Sequence, residues 1–264
     1  MAMNAKMLGS GKQTLVLAHG YGGSQASWDN IVPTLIKNYK VLLFDWCFSG
    51  AIINDDDERV AFDAEKYSSY NGFADDLITL IDEMNVNDVV YVGHSMAGMI
   101  GCVASVKRPD LFSRLVLVGA SPRYINAEGY EGGFDQPTID TMLFSAESNF
   151  NKWAEDFIPL ILGSNEPTSS KTYSEDFKRM RPSIALSVAQ TVFLSDHRDV
   201  LEHVHVPCTV VQATHDAVVP ISVGYYIQSK LRGKVSLEIV QMDGHCPQFT
   251  VPEKLIDVLE RSLN

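Results

Sequence analysis

The chain has 264 residues, 45% of them apolar, and a formal net charge of −12 at pH 7. That length and apolar content suit one large α/β domain with a sizeable core and room for an inserted subdomain. The negative charge argues against nucleic acid or an anionic membrane as a partner, and no apolar run approaches the roughly 20 residues of a membrane span.

Residues 1–13 are mixed and polar, without the apolar segment of a secretion signal. Strands are predicted at 14–18, 40–44, 88–92, 114–119, 208–212 and 235–241. Several are almost continuously apolar, as parallel strands covered on both faces are. Helical spacing falls between them, at 27–38, 70–84, 96–108, 221–231 and 252–263. This alternation predicts a mostly parallel, doubly wound sheet. The acidic run Asp55-Asp56-Asp57-Glu58 reads as part of a solvated loop, because its spacing does not resemble a calcium loop.

From about residue 123 to residue 204 the rhythm changes. No buried strand is evident, and helical patterns follow one another at 137–147, 149–162, 170–180 and 182–194. Pro137 and Pro182 sit where a first-turn proline is tolerated. An all-helical insertion between two sheet strands is expected to cap the strand ends, where open α/β sheets bind ligands. The chain therefore divides into a first core part (1–122), a four-helix lid (123–204) and a second core part (205–264). Cys47, Cys102, Cys208 and Cys246 lack paired spacing, which points to a reducing compartment. The expected location is cytoplasmic and nuclear.

The chemistry-bearing signal is Gly93-His94-Ser95-Met96-Ala97-Gly98, directly after the apolar run 89–92 and before a helix. A tight strand–turn–helix exposes a serine hydroxyl and points the following backbone N–H at the same place. Ser95 is the candidate nucleophile. It needs a base and a group to orient that base, in the chain order serine, acid, histidine. His245 follows the last predicted strand, in the loop Met242-Asp243-Gly244-His245, and is the candidate base. Asp216 follows the strand at 208–212 and is preferred as orienter. Asp243, two residues before His245, would need a reversed loop. His203 and His205 alternate on an extended approach to Pro207 and read as solvated. The Met96 amide is one candidate oxyanion donor. The Tyr21 amide is the other, from the glycine-rich turn His19-Gly20-Tyr21-Gly22-Gly23. A phosphate-binding reading of those glycines fits less well, since no Gly-Lys-Ser/Thr follows. This chemistry requires neither a metal nor an organic cofactor.

With these residues in place the chain resembles the α/β-hydrolases. More narrowly it resembles the plant strigolactone and karrikin receptor hydrolases (the DWARF-fourteen and karrikin-insensitive group), which are similar to the bacterial stress-signalling hydrolase RsbQ. Beyond Gly93-His94-Ser95, the matching stretches are Gly9-Ser10-Gly11, Lys107-Arg108-Pro109-Asp110-Leu111-Phe112, Ser121-Pro122-Arg123-Tyr124, Gly132-Gly133-Phe134, Met180-Arg181-Pro182, Ser195-Asp196-His197-Arg198 and Val206-Pro207-Cys208. The resemblance implies an α/β-hydrolase core with a V-shaped four-helix lid over an aromatic pocket that binds a small apolar butenolide ligand. The matching pocket positions are Tyr21, Tyr124, Phe134, Met142, Trp153, Phe157, Tyr173 and Phe193. Without the resemblance, aromatic residues at helical spacing could equally be core.

The chain departs from that group at Met96-Ala97-Gly98 and in the segment 45–51, features that resemble the DWARF-fourteen-like paralogue clade. Tyr21 and Tyr173 stand where phenylalanine is usual, so a more polar cavity is expected. Two functional readings follow. One is a slow serine hydrolase. The other is a hormone receptor, acting as a monomer, whose lid would recruit an F-box protein and a transcriptional co-repressor. The two are compatible, and the alternative to both is a general carboxylesterase without a signalling role.

Overall fold

The computed structural model describes residues 2–51, 62–163 and 170–263, and the acidic run 55–58 lies outside them. Among the described residues seven strands form one sheet. In chain order they are β1 (Lys6–Leu8), β2 (Thr14–Ala18), β3 (Lys40–Leu43), β4 (Val89–His94), β5 (Phe112–Val118), β6 (Cys208–His215) and β7 (Val235–Asp243). Their spatial order is β1-β3-β2-β4-β5-β6-β7. Strands β2 to β7 run parallel, and β1 lies antiparallel to β3 at the edge. The helices are α1 (Val32–Leu35), α2 (Tyr70–Glu83), α3 (Met96–Lys107), α4 (Gln136–Ser148), α5 (Phe150–Leu162), α6 (Lys171–Arg179), α7 (Pro182–Phe193), α8 (Ile221–Lys230), α9 (Pro247–Thr250) and α10 (Pro252–Leu263).

The six strands expected from the sequence are present. β1 is an addition: three residues with both outer ones exposed are too few to show an alternation. The expected helix at 27–38 is instead a 3₁₀ turn, Gln25–Trp28, followed by the single turn α1. Pro33 lies in the first turn of α1. It has no N–H to donate and its ring disfavours a helix running through from the residues before it.

The near-continuous apolar runs are explained by the two covered faces. Leu15, Leu17, Val90, Val92, Val116 and Val118 pack with Trp28, Leu35 and Leu255, Val258 and Leu259 of α10. The alternate residues Val16, Tyr91, Leu115 and Leu117 pack on the other face with Phe73 and Leu77 of α2 and Ile100 of α3. Burial on this scale, at about 25 cal/mol per Å² of apolar surface, is the main force holding the layers together.

Helices α4 to α7 occupy the chain between β5 and β6. Asp135 caps α4 by accepting from the Thr138 amide at 2.9 Å, and Asn149 caps α5 by accepting from the Lys152 amide at 3.1 Å. The end of α5 touches the loop after β7, where the His245 amide donates to the Ile161 carbonyl at 2.7 Å. These helices therefore rest over the carboxyl ends of the strands.

Helix α3 sits unusually close to β4 because Gly101 faces the Tyr91 ring. A Cβ at Gly101 would lie 2.3 Å from Tyr91 Cε1. The ring cannot retreat easily, since it is fully buried and its hydroxyl donates to the Ala97 carbonyl at 2.8 Å. Gly101→Val is expected to destabilise the fold by about 1–3 kcal/mol through overpacking. Denaturant midpoints check this, and an unchanged midpoint would show that α3 can back away from the sheet.

Candidate active site

Three side chains arrive at the carboxyl ends of three strands. Ser95 follows β4, Asp216 follows β6, and His245 lies just beyond β7. Ser95 has φ 56° and ψ −125°, outside the regions an L-residue normally occupies. Its amide donates to the Val118 carbonyl at 2.8 Å, which fixes the turn to the neighbouring strand.

The His245 Nδ1–Asp216 Oδ2 distance is 2.7 Å, and both side chains are almost fully buried. The second Asp216 oxygen accepts from the Val218 and Val219 amides at 2.8 and 3.0 Å. Asp243 points elsewhere and lies 3.5 Å from His215, with both side chains exposed. His245 is held at three points: its ring Nδ1 by Asp216, its backbone amide by the Ile161 carbonyl, and its backbone carbonyl by His94 Nε2, which donates to it at 3.0 Å. His245 Nε2 is buried and has no hydrogen-bond partner among the described residues. The Ser95 hydroxyl lies 3.4 Å from the Tyr124 hydroxyl instead of on His245.

The turn at 19–23 closes over the same place. Gly20 is required there by close approach: a Cβ would lie 2.9 Å from His94 Nδ1 and 3.0 Å from Ser95 Cβ. Met96 opens α3, so its amide lies in the first helical turn, where no intrahelical acceptor exists. The turn is braced from beneath by the segment 45–51. His19 Nε2 accepts from the Trp46 amide at 3.1 Å, and the Trp46 indole donates to the His19 carbonyl at 2.9 Å. The unusual sequence of that segment gave no hint of this bracing, because it depends on a contact 27 residues away along the chain.

Tyr21, His94, Ser95, Tyr124, Phe157, Ile161, Tyr173, Val192, Phe193, Val218 and His245 line a cavity of about 20 Å³. That is room for about one water molecule. Of the expected pocket residues, Tyr21, Tyr124, Phe157, Tyr173 and Phe193 reach it. Phe134, Trp153 and Met142 do not. Phe134 packs edge-on against Phe193, Trp153 stacks on Phe157 with centroids 4.9 Å apart, and Met142 is half-buried against the core. The sequence reading missed His94, Ile161, Val192 and Val218. Ile161 stands four residues after Phe157 on α5, a same-face spacing that could have found it.

The expected extra polarity of the cavity is corrected by the bonding of its tyrosines. The Tyr21 hydroxyl donates to the Ala185 carbonyl at 2.7 Å, and the Tyr173 hydroxyl donates to the Tyr21 carbonyl at 3.1 Å. Both hydroxyls are spent on backbone, leaving Ser95, His94, His245 and Tyr124 as the other polar side chains at the cavity. Elsewhere, His203 and His205 are exposed, as expected. Among the described residues no group of three or more His, Cys, Asp or Glu side chains is placed to hold a metal ion. No helix among them is long and apolar enough to cross a membrane.

Residues 13–252 match the alpha/beta hydrolase fold family. The chain is an α/β-hydrolase. It is 43% identical over 264 residues to a karrikin insensitive 2 receptor of Petunia hybrida, covering 100% of this chain and 96% of that one. It is 39% identical over 262 residues to a strigolactone esterase of Arabidopsis thaliana, covering 99% and 96%. Among solved structures, a hydrolase from Oleispira antarctica superposes with a TM-score of 0.90 at 28% identity, covering 98% of this chain and 94% of that one. The resemblance drawn from the motifs thus extends over the whole hydrolase chain.

The hydrolase keeps two further buried histidines, His19 and His94, neutral. Burial pushes the His19 imidazole below its ordinary range, against the opposing pull of Asp45. His94 is pushed down to about 3, first by burial and then by the neighbouring His245. Its folded state therefore refuses a proton that the unfolded chain accepts below about pH 6.5. His94 contributes stability in full above that pH, and the contribution is lost as pH falls from about 6.5 toward 3. His94→Asn is expected to flatten the pH dependence of unfolding free energy in that window by up to about 1.4 kcal/mol per pH unit. Unfolding curves at pH 7.5, 6 and 5 check this, and parallel slopes for the two proteins would contradict it.

Proposed function

We propose that this chain hydrolyses small, largely apolar esters and butenolide lactones by nucleophilic catalysis at Ser95. The supporting observation is the His245–Asp216 contact at 2.7 Å, with His245 Nε2 unpartnered at the cavity that Ser95 also lines. Rotation of the Ser95 side chain away from Tyr124 brings its hydroxyl to His245. Ser95 Oγ attacks the carbonyl carbon of an ester or enol-ether-linked butenolide while His245 Nε2 takes the hydroxyl proton. The Tyr21 and Met96 amides donate to the resulting oxyanion. Collapse breaks the bond to the alcohol oxygen of an ester, which leaves with the proton from His245, or to the ring oxygen of a butenolide, which takes that proton and stays tethered as a hemiacetal hydroxyl. Breakdown of the hemiacetal to an aldehyde then releases the enol with that proton. Water then adds to the acyl-serine by the same route in reverse. Asp216 holds the imidazole orientation and stabilises its cationic form throughout.

The butenolide substrate class is what the resemblance to the strigolactone and karrikin receptor hydrolases implies, and relatives named as a karrikin receptor and a strigolactone esterase support it. By the same similarity the chain would also report ligand arrival, with helices in 123–204 acting as a lid that engages an F-box protein and a transcriptional co-repressor. The setting would be the cytoplasm and nucleus, with the chain as a monomer. A second reading, a general carboxylesterase without signalling, has less support, since the relatives at 39–43% identity are named as a karrikin receptor and a strigolactone esterase, and the cavity volume does not separate the two. About 20 Å³ takes a water and excludes a ligand of two or three rings unless the helices above it move.

Ser95→Ala is expected to abolish turnover of a small aryl ester, and Asp216→Asn to lower kcat by about four orders of magnitude while the fold stays intact. Steady-state rates with circular dichroism check both, and turnover surviving in Ser95→Ala would remove the nucleophile assignment. A butenolide is expected to shift the melting temperature and promote capture of a partner protein. Ester turnover with neither effect would leave the carboxylesterase reading.

A further inference from the structure

One face of α6 is bound to the turn that carries the proposed oxyanion donor. Tyr173, Asp176 and Phe177 stand at positions i, i+3 and i+4, on one side of the helix. All three are buried. The Tyr173 hydroxyl donates to the Tyr21 carbonyl at 3.1 Å. Asp176 Oδ2 accepts from the Ser24 hydroxyl at 2.5 Å. The Phe177 ring lies on the Gly22 backbone so tightly that a Cβ there would fall 1.9 Å from Phe177 Cδ2. Tyr21 adds a link to α7 through its hydroxyl bond to Ala185 at 2.7 Å, and its ring meets Phe177 edge-on at 5.3 Å.

Tyr21 and Tyr173 also line the cavity over Ser95. Separation of α6 or α7 from the turn would open the cavity to a larger substrate, and that separation breaks these bonds. Because the groups are buried, no solvent replaces the lost partners until the helices have moved well apart.

We propose that the Tyr173–Tyr21 and Asp176–Ser24 hydrogen bonds, with Tyr21–Ala185, form a latch that sets the size of acyl group Ser95 accepts. This rests on the reading of Ser95 as nucleophile. Tyr21 is the shared element: its amide is the proposed oxyanion donor, and its ring and hydroxyl face the lid helices. Phenylalanine at 173 keeps the ring and loses the bond. Ser24 does not line the cavity, so Ser24→Ala removes the Asp176 bond, along with the Ser24 cap on the Ala26 amide at 3.2 Å, at a position outside the pocket wall.

The test compares covalent labelling by a short-chain and an octyl-chain fluorophosphonate, read by intact mass, in the parent, Tyr173→Phe and Ser24→Ala proteins. The ratio of octyl to short-chain labelling rates is expected to rise between about two- and ten-fold in each variant, the range that losing one hydrogen bond allows. An unchanged ratio in Ser24→Ala overturns the latch, because a local change at residue 173 would then suffice. Hydrogen exchange of the α6 amides supplies a readout independent of Ser95. It is expected to be faster in both variants, and unchanged exchange overturns the latch even if neither probe labels. Failure of the parent to label with the short probe, alongside faster exchange in the variants, would overturn the nucleophile and with it the selection of acyl size, while showing that the hydrogen bonds do hold α6 to the turn.

Discussion

Ser95 is held in a backbone conformation, φ 56° and ψ −125°, that side-chain-bearing residues resist at a cost of about 1–3 kcal/mol. Everything around it resists relaxation. β4 pairs with β2 on one side and β5 on the other, so the strand leading into the turn cannot shift. The Ser95 amide is tied to Val118. On the far side α3 is pressed against Tyr91 at Gly101, and the Tyr91 hydroxyl is bonded to Ala97 in the first turn of the helix. Strand, turn and helix thus form one stiff unit that presents the serine at the carboxyl edge of the sheet. The turn at 19–23 and the loops after β6 and β7 gather around that point because parallel strands end there.

The second layer of organisation is electrostatic. His19, His94 and His245 are all buried, and each is fixed by the backbone or side-chain groups it meets. His94 donates to the His245 carbonyl, and burial keeps it neutral. A cation at His94 would repel a developing imidazolium at His245, so its neutrality suits the proposed proton transfer. Only His245 combines a carboxylate at one ring nitrogen with an unpartnered nitrogen at the cavity. That asymmetry is what equips one histidine among the three to accept and return a proton.

The sheet was legible because continuously apolar runs, separated by helical spacing, have few other solutions. The turn at Ser95, the loop positions of Asp216 and His245, and the order of the three followed from where parallel strands end. Less was legible where tertiary contact decides. Helix 27–38 was overread because Pro33 interrupts it. Phe134, Met142 and Trp153 share a helical or loop environment with residues that line the cavity, but they pack on neighbouring rings or against the core and do not line it. Tyr21 and Tyr173 line the cavity, but the polarity expected of them does not reach it, because a hydroxyl's partner can be a backbone carbonyl far along the chain, as Ala185 is for Tyr21. The bracing of His19 by Trp46 was hidden for the same reason.

The central claim is that Ser95 carries the acyl group during turnover. It is tested most directly by acid-quenching the protein in mid-reaction with a slowly deacylating aryl ester and mapping the adduct by peptide mass spectrometry. The account predicts one acyl group, on the peptide containing Ser95, forming with a burst of released phenol and absent when His245 is replaced by alanine. An adduct on Tyr124 or a cysteine, or steady turnover with no acylated peptide at all, would contradict it.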